Sequence, residues 1–349
     1  MTNVAVIGAT GYVGGELLRL LALHPEFDLA AAVSSSRAGD PVAELFPHLA
    51  SHYRGVEFSS PAGWLGQLDR GTDLALFSAA PHGASAAVVA ETIEAAAARD
   101  IHIRVVDSSA DFRYSSASEF AAIYGVEHPA PQLLEQFVCA LPEHAPETTA
   151  RNIGHPGCFA TAILLAAMPL VASGLIDGEL FVTGITGSTG SGRSPQAGTH
   201  HPERHSNLYA YKPLAHRHVP EVENLLRRGT QRDTAVMFVP HSGPFARGIH
   251  VTVQAKLSDT VSQQQLRRIA ADYYDDAEFV EVVATTPRLK NVVASNYCHL
   301  GVAVEGEYAV VMSTIDNLVK GAAGGAMQWM NRLWELPEHT GLRTAAPAW

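Results

Sequence analysis

An α/β protein that opens with a dinucleotide-binding domain is the fold class this sequence predicts. Three observations carry that expectation. A strand, a glycine-rich turn and a helix follow one another from the first residues. Strand-like and helix-like segments go on alternating behind them. The chain, at 349 residues, is long enough for a second domain with its own core.

The first strand is Val4–Ile7, and Gly8, Gly11 and Gly14 follow it with the spacing G-x-x-G-x-x-G. Apolar residues then recur at helical spacing through Glu16–Leu23. Bare backbone at such a turn lets a pyrophosphate approach the N–H groups of a helix N-terminus, the arrangement of a Rossmann-type domain. A second strand, Phe27–Val33, ends in Ser34-Ser35-Ser36-Arg37. An enzyme specific for NAD carries an acidic residue there for the ribose 2′-hydroxyl. Hydroxyls at Ser34 and Ser36 beside the cation of Arg37 suit a 2′-phosphate instead, so NADP(H) is the expected cofactor.

Two more buried strands, Leu74–Phe77 and Val105–Asp107, flank an alanine-rich helix over 84–98. The second leads into Ser108–Arg113, where Arg113 either grips a substrate carboxylate or pairs with Asp111.

Composition narrows the classes. The chain is 47% apolar and 17% charged with a net charge of -11, which disfavours disorder and general nucleic-acid or acidic-membrane binding. Cys139, Cys158 and Cys298 are too few and too scattered for a disulfide framework, and suit a reducing cytosol. No basic-then-apolar leader opens the chain and no apolar run reaches spanning length, so a cytoplasmic location without a membrane partner is expected.

Chemistry concentrates in the middle. Cys158 follows a Pro-Gly pair and opens a long apolar run, Ala162–Met168, that reads as a helix. A lone cysteine is by default a small core residue. A thiol at a helix N-terminus, however, is pushed toward the thiolate, and Cys158 is the candidate nucleophile. The strand Leu180–Thr186 runs into a loop of glycines and hydroxyls, Gly187–Arg193, which offers Ser188 and Arg193 to an anion. Polar residues then crowd 199–223, where His200, Arg204, Lys212 and Glu221 are candidate substrate contacts.

The His-Arg-His segment supplies candidate bases, since imidazole exchanges protons near neutrality. Pro220 marks a helix start, which sets His216 and His218 on its approach, pointing to one side if that approach is extended. No histidine spacing matches a metal site, and none is expected. Strands over 248–255 and 309–312 and a helix over 262–274 complete the second half, and the small residues of Asp316–Gly325 allow close packing against a flat neighbour.

In order, GATGYVGGELLRLL, SADFR, HPGCFAT, GSTGSGR, YKPLAHRHVPE and DNLVKGAAGGAMQ resemble the N-acyl-γ-glutamyl-phosphate reductases of arginine biosynthesis, relatives of aspartate-semialdehyde dehydrogenase. The resemblance covers nearly the whole chain. It implies a dinucleotide-binding domain over 1–157 completed by the C-terminal helix 318–349. Between them, over 158–317, it implies an α+β catalytic, substrate and oligomerisation domain of the semialdehyde dehydrogenase type. It implies a homodimer or homotetramer and a thioester on Cys158, with His216 preferred to His218 as the base. It also implies that Gly8, Thr10, Gly11, Tyr12, Val13, Ser34, Ser36, Arg37 and Asn317 hold the cofactor. The implied reaction is NADPH-dependent reduction of N-acetyl-γ-glutamyl phosphate to the semialdehyde.

Two departures stand out. The cysteine motif of this family usually begins with Asn and has Tyr-Pro after the cysteine, whereas here His155 and Phe159-Ala160 occupy those places. THHPER with YKPL and HRH looks closer to a branch acting on aminoadipyl or glutamyl phosphate linked to a small acidic carrier protein. A basic patch of Arg193, Arg204, Lys212 and Arg217 would suit such a partner. A nucleotide-sensing regulator without turnover and a dehydrogenase of aspartate semialdehyde or a triose are the remaining alternatives. Cys158 together with the His-Arg-His segment disfavours the first, and the whole-chain match disfavours the second.

Overall fold

A computed structural model describes residues 1–145, 148–176 and 178–347. The chain divides into two compact units, Met1–Pro156 with Ala322–Arg343, and Gly157–Gly321 with the chain end from Thr344.

The first unit is a parallel sheet with helices between its strands. In chain order it runs β1 (Thr2–Ile7), α1 (Tyr12–Leu21), β2 (Phe27–Val33), the single-turn α2 (Val42–Leu45), β3 (Asp73–Ser78), α3 (Ser85–Ala97), β4 (His102–Asp107), α4 (Ala117–Tyr124), β5 (Phe137–Cys139) and β6 (Asn152–Gly154). The strands lie in the order β2-β1-β3-β4-β6-β5, all parallel. Sheets of this kind are covered on both faces, which is why β1 and β3 are near-continuous apolar runs with most residues buried. Strand order reverses between β1 and β3, and a ligand crevice opens at the carboxyl ends of strands at such a switch point.

The second unit is built around one buried helix, α5 (Cys158–Ala172), on which Phe159 through Val171 are all buried. After it come β7 (Leu180–Thr186), α6 (His201–Arg204), β8 (Tyr209–Ala210), α7 (Val219–Thr230), β9 (Val236–Ser242), β10 (Ile249–Lys256), α8 (Gln263–Tyr273), β11 (Val280–Val282), β12 (Cys298–Glu305) and β13 (Tyr308–Ile315). These strands form a mixed sheet in the order β11-β12-β13-β10-β7-β9-β8. The alternation of β10 is plain: Ile249, Val251, Val253 and Ala255 are buried, and their neighbours are not. Helix α5 lies on that buried face against β10 and β13, flanked by α7 and α8. The chain then returns to the first unit through α9 (Gly324–Leu333).

Helix α5 carries a proline in its interior, Pro169, which cannot donate to the carbonyl four residues back. That carbonyl belongs to Leu165, and the Tyr274 hydroxyl donates to it at 2.9 Å. The Ser313 hydroxyl donates to Ala162 O at 2.7 Å, stitching the same helix to β13. A helix this apolar gains no orientation from amphipathicity, so these polar ties help fix how it sits.

Within the first unit, α9 buries Trp329 completely, and its indole N–H donates to Ala140 O at 2.8 Å. Among the described residues no helix is long and apolar enough to cross a membrane.

Candidate active site

The glycine turn of the first unit is fixed by close approach. Gly8 has φ +71°, and a Cβ there would lie 2.5 Å from Ala79 O. A Cβ on Gly14 would lie 2.5 Å from Gly8 O, so α1 packs directly on the turn. Gly11 begins α1 with no side-chain cap, and no acidic residue occupies the first turn. The helix end at Tyr12 and Val13 thus has the uncapped form that suits an anion. At the end of β2, the Ser34 hydroxyl accepts the N–H groups of Ser36 and Arg37 at 3.3 and 3.2 Å. Ser34 thus shapes the turn, and Ser36 and Arg37 are what the turn presents. Arg37 is close to half exposed and pairs with Asp40 at 3.1 Å. Glycine cradle, uncapped helix and cationic turn fit a dinucleotide with a 2′-phosphate.

The ends of β3 and β4 hold a polar network that the sequence did not reveal. Asp107 is fully buried and accepts hydroxyl hydrogens from Ser85 and Ser109 at 2.6 and 2.5 Å. Burial pushes its carboxyl up to about 6, against the lowering effect of the two hydroxyls. Asp111 caps α3 from outside, accepting the N–H groups of Gly83 and Ala86 at 2.7 and 2.9 Å. Arg113, also buried, donates to His155 O and Ser108 O at 2.9 and 3.0 Å. Its guanidinium thus braces the backbone just ahead of the cysteine motif.

In the second unit, Cys158 is the first residue of α5, behind an N-cap Gly157. Gly157 N–H donates to Glu221 Oε1 at 2.7 Å, and Glu221 stands in the first turn of α7 with only 1% of its surface exposed. This contact draws together the N-terminus of the cysteine helix and that of the helix which follows His218. On the other side of Cys158 stands Gly321, where a Cβ would meet Cys158 Cβ at 2.8 Å and Cα at 3.1 Å. The flat neighbour of the small-residue run is therefore the cysteine's own backbone. Val319–Ala323 forms a π-helical turn, a distortion frequent at functional sites. Replacing Gly321 with Ala must displace the first turn of α5. We expect a loss of about 1–3 kcal/mol in stability and a fall in kcat of at least about tenfold, read by denaturant unfolding and steady-state rates. Wild-type kcat would contradict this packing account.

His216 lies in a ring of aromatics. Its centroid is 5.7 Å from Phe159, 5.8 Å from Tyr211, 5.4 Å from Phe238 and 4.7 Å from His218. Burial, followed by the charges of Arg217 and Lys212, lowers its imidazolium to about 4, so the ring is neutral at pH 7. His216 Nδ1 accepts the His218 N–H at 3.2 Å, which spends the one lone pair a neutral imidazole has. Burial and next the negative charge of Cys158 push the Tyr211 phenol up, which ties Tyr211 electrostatically to the thiol.

The approach to α7 is not extended, contrary to expectation. Lys212 and Leu214 have positive φ, Ala215 N–H donates to Lys212 O at 3.1 Å, and Val219 N–H donates to His216 O at 3.0 Å. Consecutive turns, rather than strand alternation, therefore set the two imidazoles edge to face.

Phe159, one of the departures, needs Gly184 opposite it, where a Cβ would lie 2.5 Å from its ring. His155, the other, is buried and its Nδ1 donates to Pro156 O at 2.7 Å.

The loop residues fare differently. Asn317 Oδ1 accepts Gly248 N–H at 2.7 Å and Nδ2 donates to the Thr189 hydroxyl at 3.0 Å, so its amide orders the loop Gly187–Arg193. Ser188 N–H donates to Phe245 O at 3.0 Å. Arg204 is buried and donates to the Ser242 hydroxyl and to the carbonyls of Gly243 and Phe245, bracing that turn. Arg193, His200 and Lys212 are exposed. Asp316 was missed altogether. It is fully buried, takes a two-pronged ion pair from Arg247 at 3.0 and 3.2 Å, and caps the turn into Val319. Its place beside Asn317 was the only signal.

Comparison with known proteins covers both units. Residues 3–151 match the family model described as the NAD-binding domain of semialdehyde dehydrogenase, and residues 158–317 match its dimerisation domain. The chain is 40% identical to an N-acetyl-gamma-glutamyl-phosphate reductase of Azotobacter vinelandii, covering 99% of each chain. It is 40% identical to a reductase of the same name from Methanopyrus kandleri, covering 98% of each. Its fold is similar to that of an aspartate-semialdehyde dehydrogenase of Candida albicans solved with NADP. That likeness has a TM-score of 0.67 at 17% identity, over 96% of this chain and 98% of the other.

Proposed function

This chain belongs to the N-acetyl-gamma-glutamyl-phosphate reductase family of semialdehyde dehydrogenases, and from that premise we propose that it reduces N-acetyl-γ-glutamyl phosphate to the 5-semialdehyde, releasing phosphate. The reaction is reversible and proceeds through a thioester on Cys158. The observation that carries the reading is the joining of two helix N-termini through Gly157 and Glu221, one opening with Cys158 and the other preceded by His218.

His218 takes the thiol proton as Cys158 Sγ bonds the acyl carbon, and the bond from that carbon to the phosphate oxygen breaks. NADPH, when bound, supplies a hydride to the acyl carbon. His218 then returns its proton as the carbon–sulfur bond breaks and the aldehyde leaves. His218 rather than the expected His216 is the base in this reading. With its Nδ1 lone pair spent on His218 N–H, His216 has only an N–H left to present, so it orients the base.

Gly8, Gly11, Tyr12 and Val13 receive the pyrophosphate in this reading, and Ser36 and Arg37 the 2′-phosphate. Arg37→Asp is expected to raise KM for NADP far more than KM for NAD; equal effects on both would remove the assignment. The carbonyl bonds of Arg113 and Arg204 favour bracing roles for them, and Ser188, Arg193, His200, Lys212 and Glu221 are the candidate substrate contacts in this reading.

The names of the full-length relatives support the N-acetylated substrate over the carrier-linked one. A homo-oligomer is supported by the dimerisation-domain match and by Phe181 and Tyr308, which are 57% and 58% exposed on the sheet strands. The testing assay is phosphate-dependent reduction of NADP by N-acetylglutamate semialdehyde in a cytoplasmic-type reducing buffer. Turnover only with a carrier-linked aminoadipate semialdehyde would transfer the reading to the carrier branch.

A further inference from the structure

Helix α7 has the makings of a capping box but does not close one. In such a box the acidic residue at the third helical position reaches back to the N–H of its own N-cap. Here the N-cap is His218 and the third residue is Glu221. The His218 N–H is instead taken by His216 Nδ1 at 3.2 Å. Glu221 Oε1 accepts the Gly157 N–H at 2.7 Å, and Gly157 is the N-cap of α5. Gly157 has no side chain with which to cap its own helix, and the first turn of α5 holds no acidic residue. The box is thus divided between two helices, with Glu221 closing the one that begins at Cys158.

We propose that Glu221 is a positioning residue that caps the cysteine helix from the histidine helix and keeps Cys158 a thiol until His218 takes its proton. The proposal rests on the roles given above to Cys158 and His218. Its physical basis is a balance of fields. The positive end of α5 alone favours a thiolate at its first residue. A carboxylate buried at that same end cancels this bias and adds like-charge repulsion. The carboxylate is itself sustained by the N-termini of two helices and by a charge-assisted hydrogen bond. One contact therefore fixes the register of nucleophile and base and makes loss of the thiol proton depend on the base. Among the described residues, Tyr211 is coupled to Cys158, Arg217 and Tyr209, and His216 to Arg217, Lys212 and the His218 ring, all unchanged in the variants below.

The test follows iodoacetamide alkylation of Cys158 as a function of pH, read on the Cys158 peptide by mass spectrometry, in wild type and in Glu221→Gln. The amide keeps an oxygen for Gly157 N–H and removes only the charge. The alkylation midpoint is expected to move down by about one pH unit, with kcat reduced about tenfold or more. An unmoved midpoint in a folded Gln variant overturns the proposal. Should that variant not fold, Glu221→Asp decides. The charge stays while the reach shortens by one methylene, so the midpoint should hold while kcat falls, and a midpoint shifted as far down as predicted for Gln overturns the proposal. Failure of the underlying reading is distinguishable, because undiminished turnover in Cys158→Ser removes the covalent mechanism whatever the alkylation midpoint does.

Discussion

Replacing Cys158 with Ser is expected to lower phosphate-dependent NADP reduction by about three decades or more, while NADP binding, read by fluorescence titration, stays at the wild-type value. The two readouts separate because the residues expected to hold the cofactor in the first unit, Gly8 through Val13 with Ser36 and Arg37, are untouched by the change. Serine fits the site, since the space beside Cys158 Cα and Cβ that Gly321 leaves is set by backbone and not by the sulfur. A hydroxyl is a far weaker nucleophile than a thiol at neutral pH. Substantial residual turnover in Cys158→Ser would refute covalent catalysis.

His218→Asn should cost roughly two to four decades in kcat, and His216→Asn distinctly less. The asymmetry comes from the His218 N–H. An asparagine at 216 offers its amide oxygen near where Nδ1 accepts that N–H, so the turn into α7 can persist. An asparagine at 218 leaves the thiol without the imidazole that would accept its proton. Because burial holds His216 neutral down to about pH 4, its replacement should leave the neutral-pH limb of the rate profile in place. Equal losses in the two variants, or the larger loss at 216, would return the base to His216.

How much of this could be read in advance depended on whether the signal was local. The glycine turn was legible because strand, turn and helix follow one another without interruption over Thr2–Leu21, and the close approach of Gly8 to Ala79 leaves no room for a side chain. Cys158 was legible for the same reason, as a thiol between a Pro-Gly turn and an apolar helix. Strands β5 and β6 are three residues each, too short to show any period. Strand β9 carries Pro240 and β12 carries Gly301, residues that argue against a strand on their own.

The approach from Lys212 to His218 misled for a physical reason. Positive φ at Lys212 and Leu214 folds it into turns, although neither residue advertises a left-handed backbone. Roles set by partners distant in the chain were the least visible. Glu221 finds Gly157, Asp316 finds Arg247, and Tyr274 finds the carbonyl that Pro169 leaves without its helical donor.

In the proposed mechanism Cys158 carries the acyl group. In the oxidative direction phosphate is what releases that group, so enzyme mixed with N-acetylglutamate semialdehyde and NADP without phosphate should stop after one turnover. A burst of one NADPH per active site and an acyl adduct on the Cys158 peptide are expected, and added phosphate should remove the adduct and restart NADPH formation. Continued turnover without phosphate, or a burst with no adduct on Cys158, would contradict that mechanism.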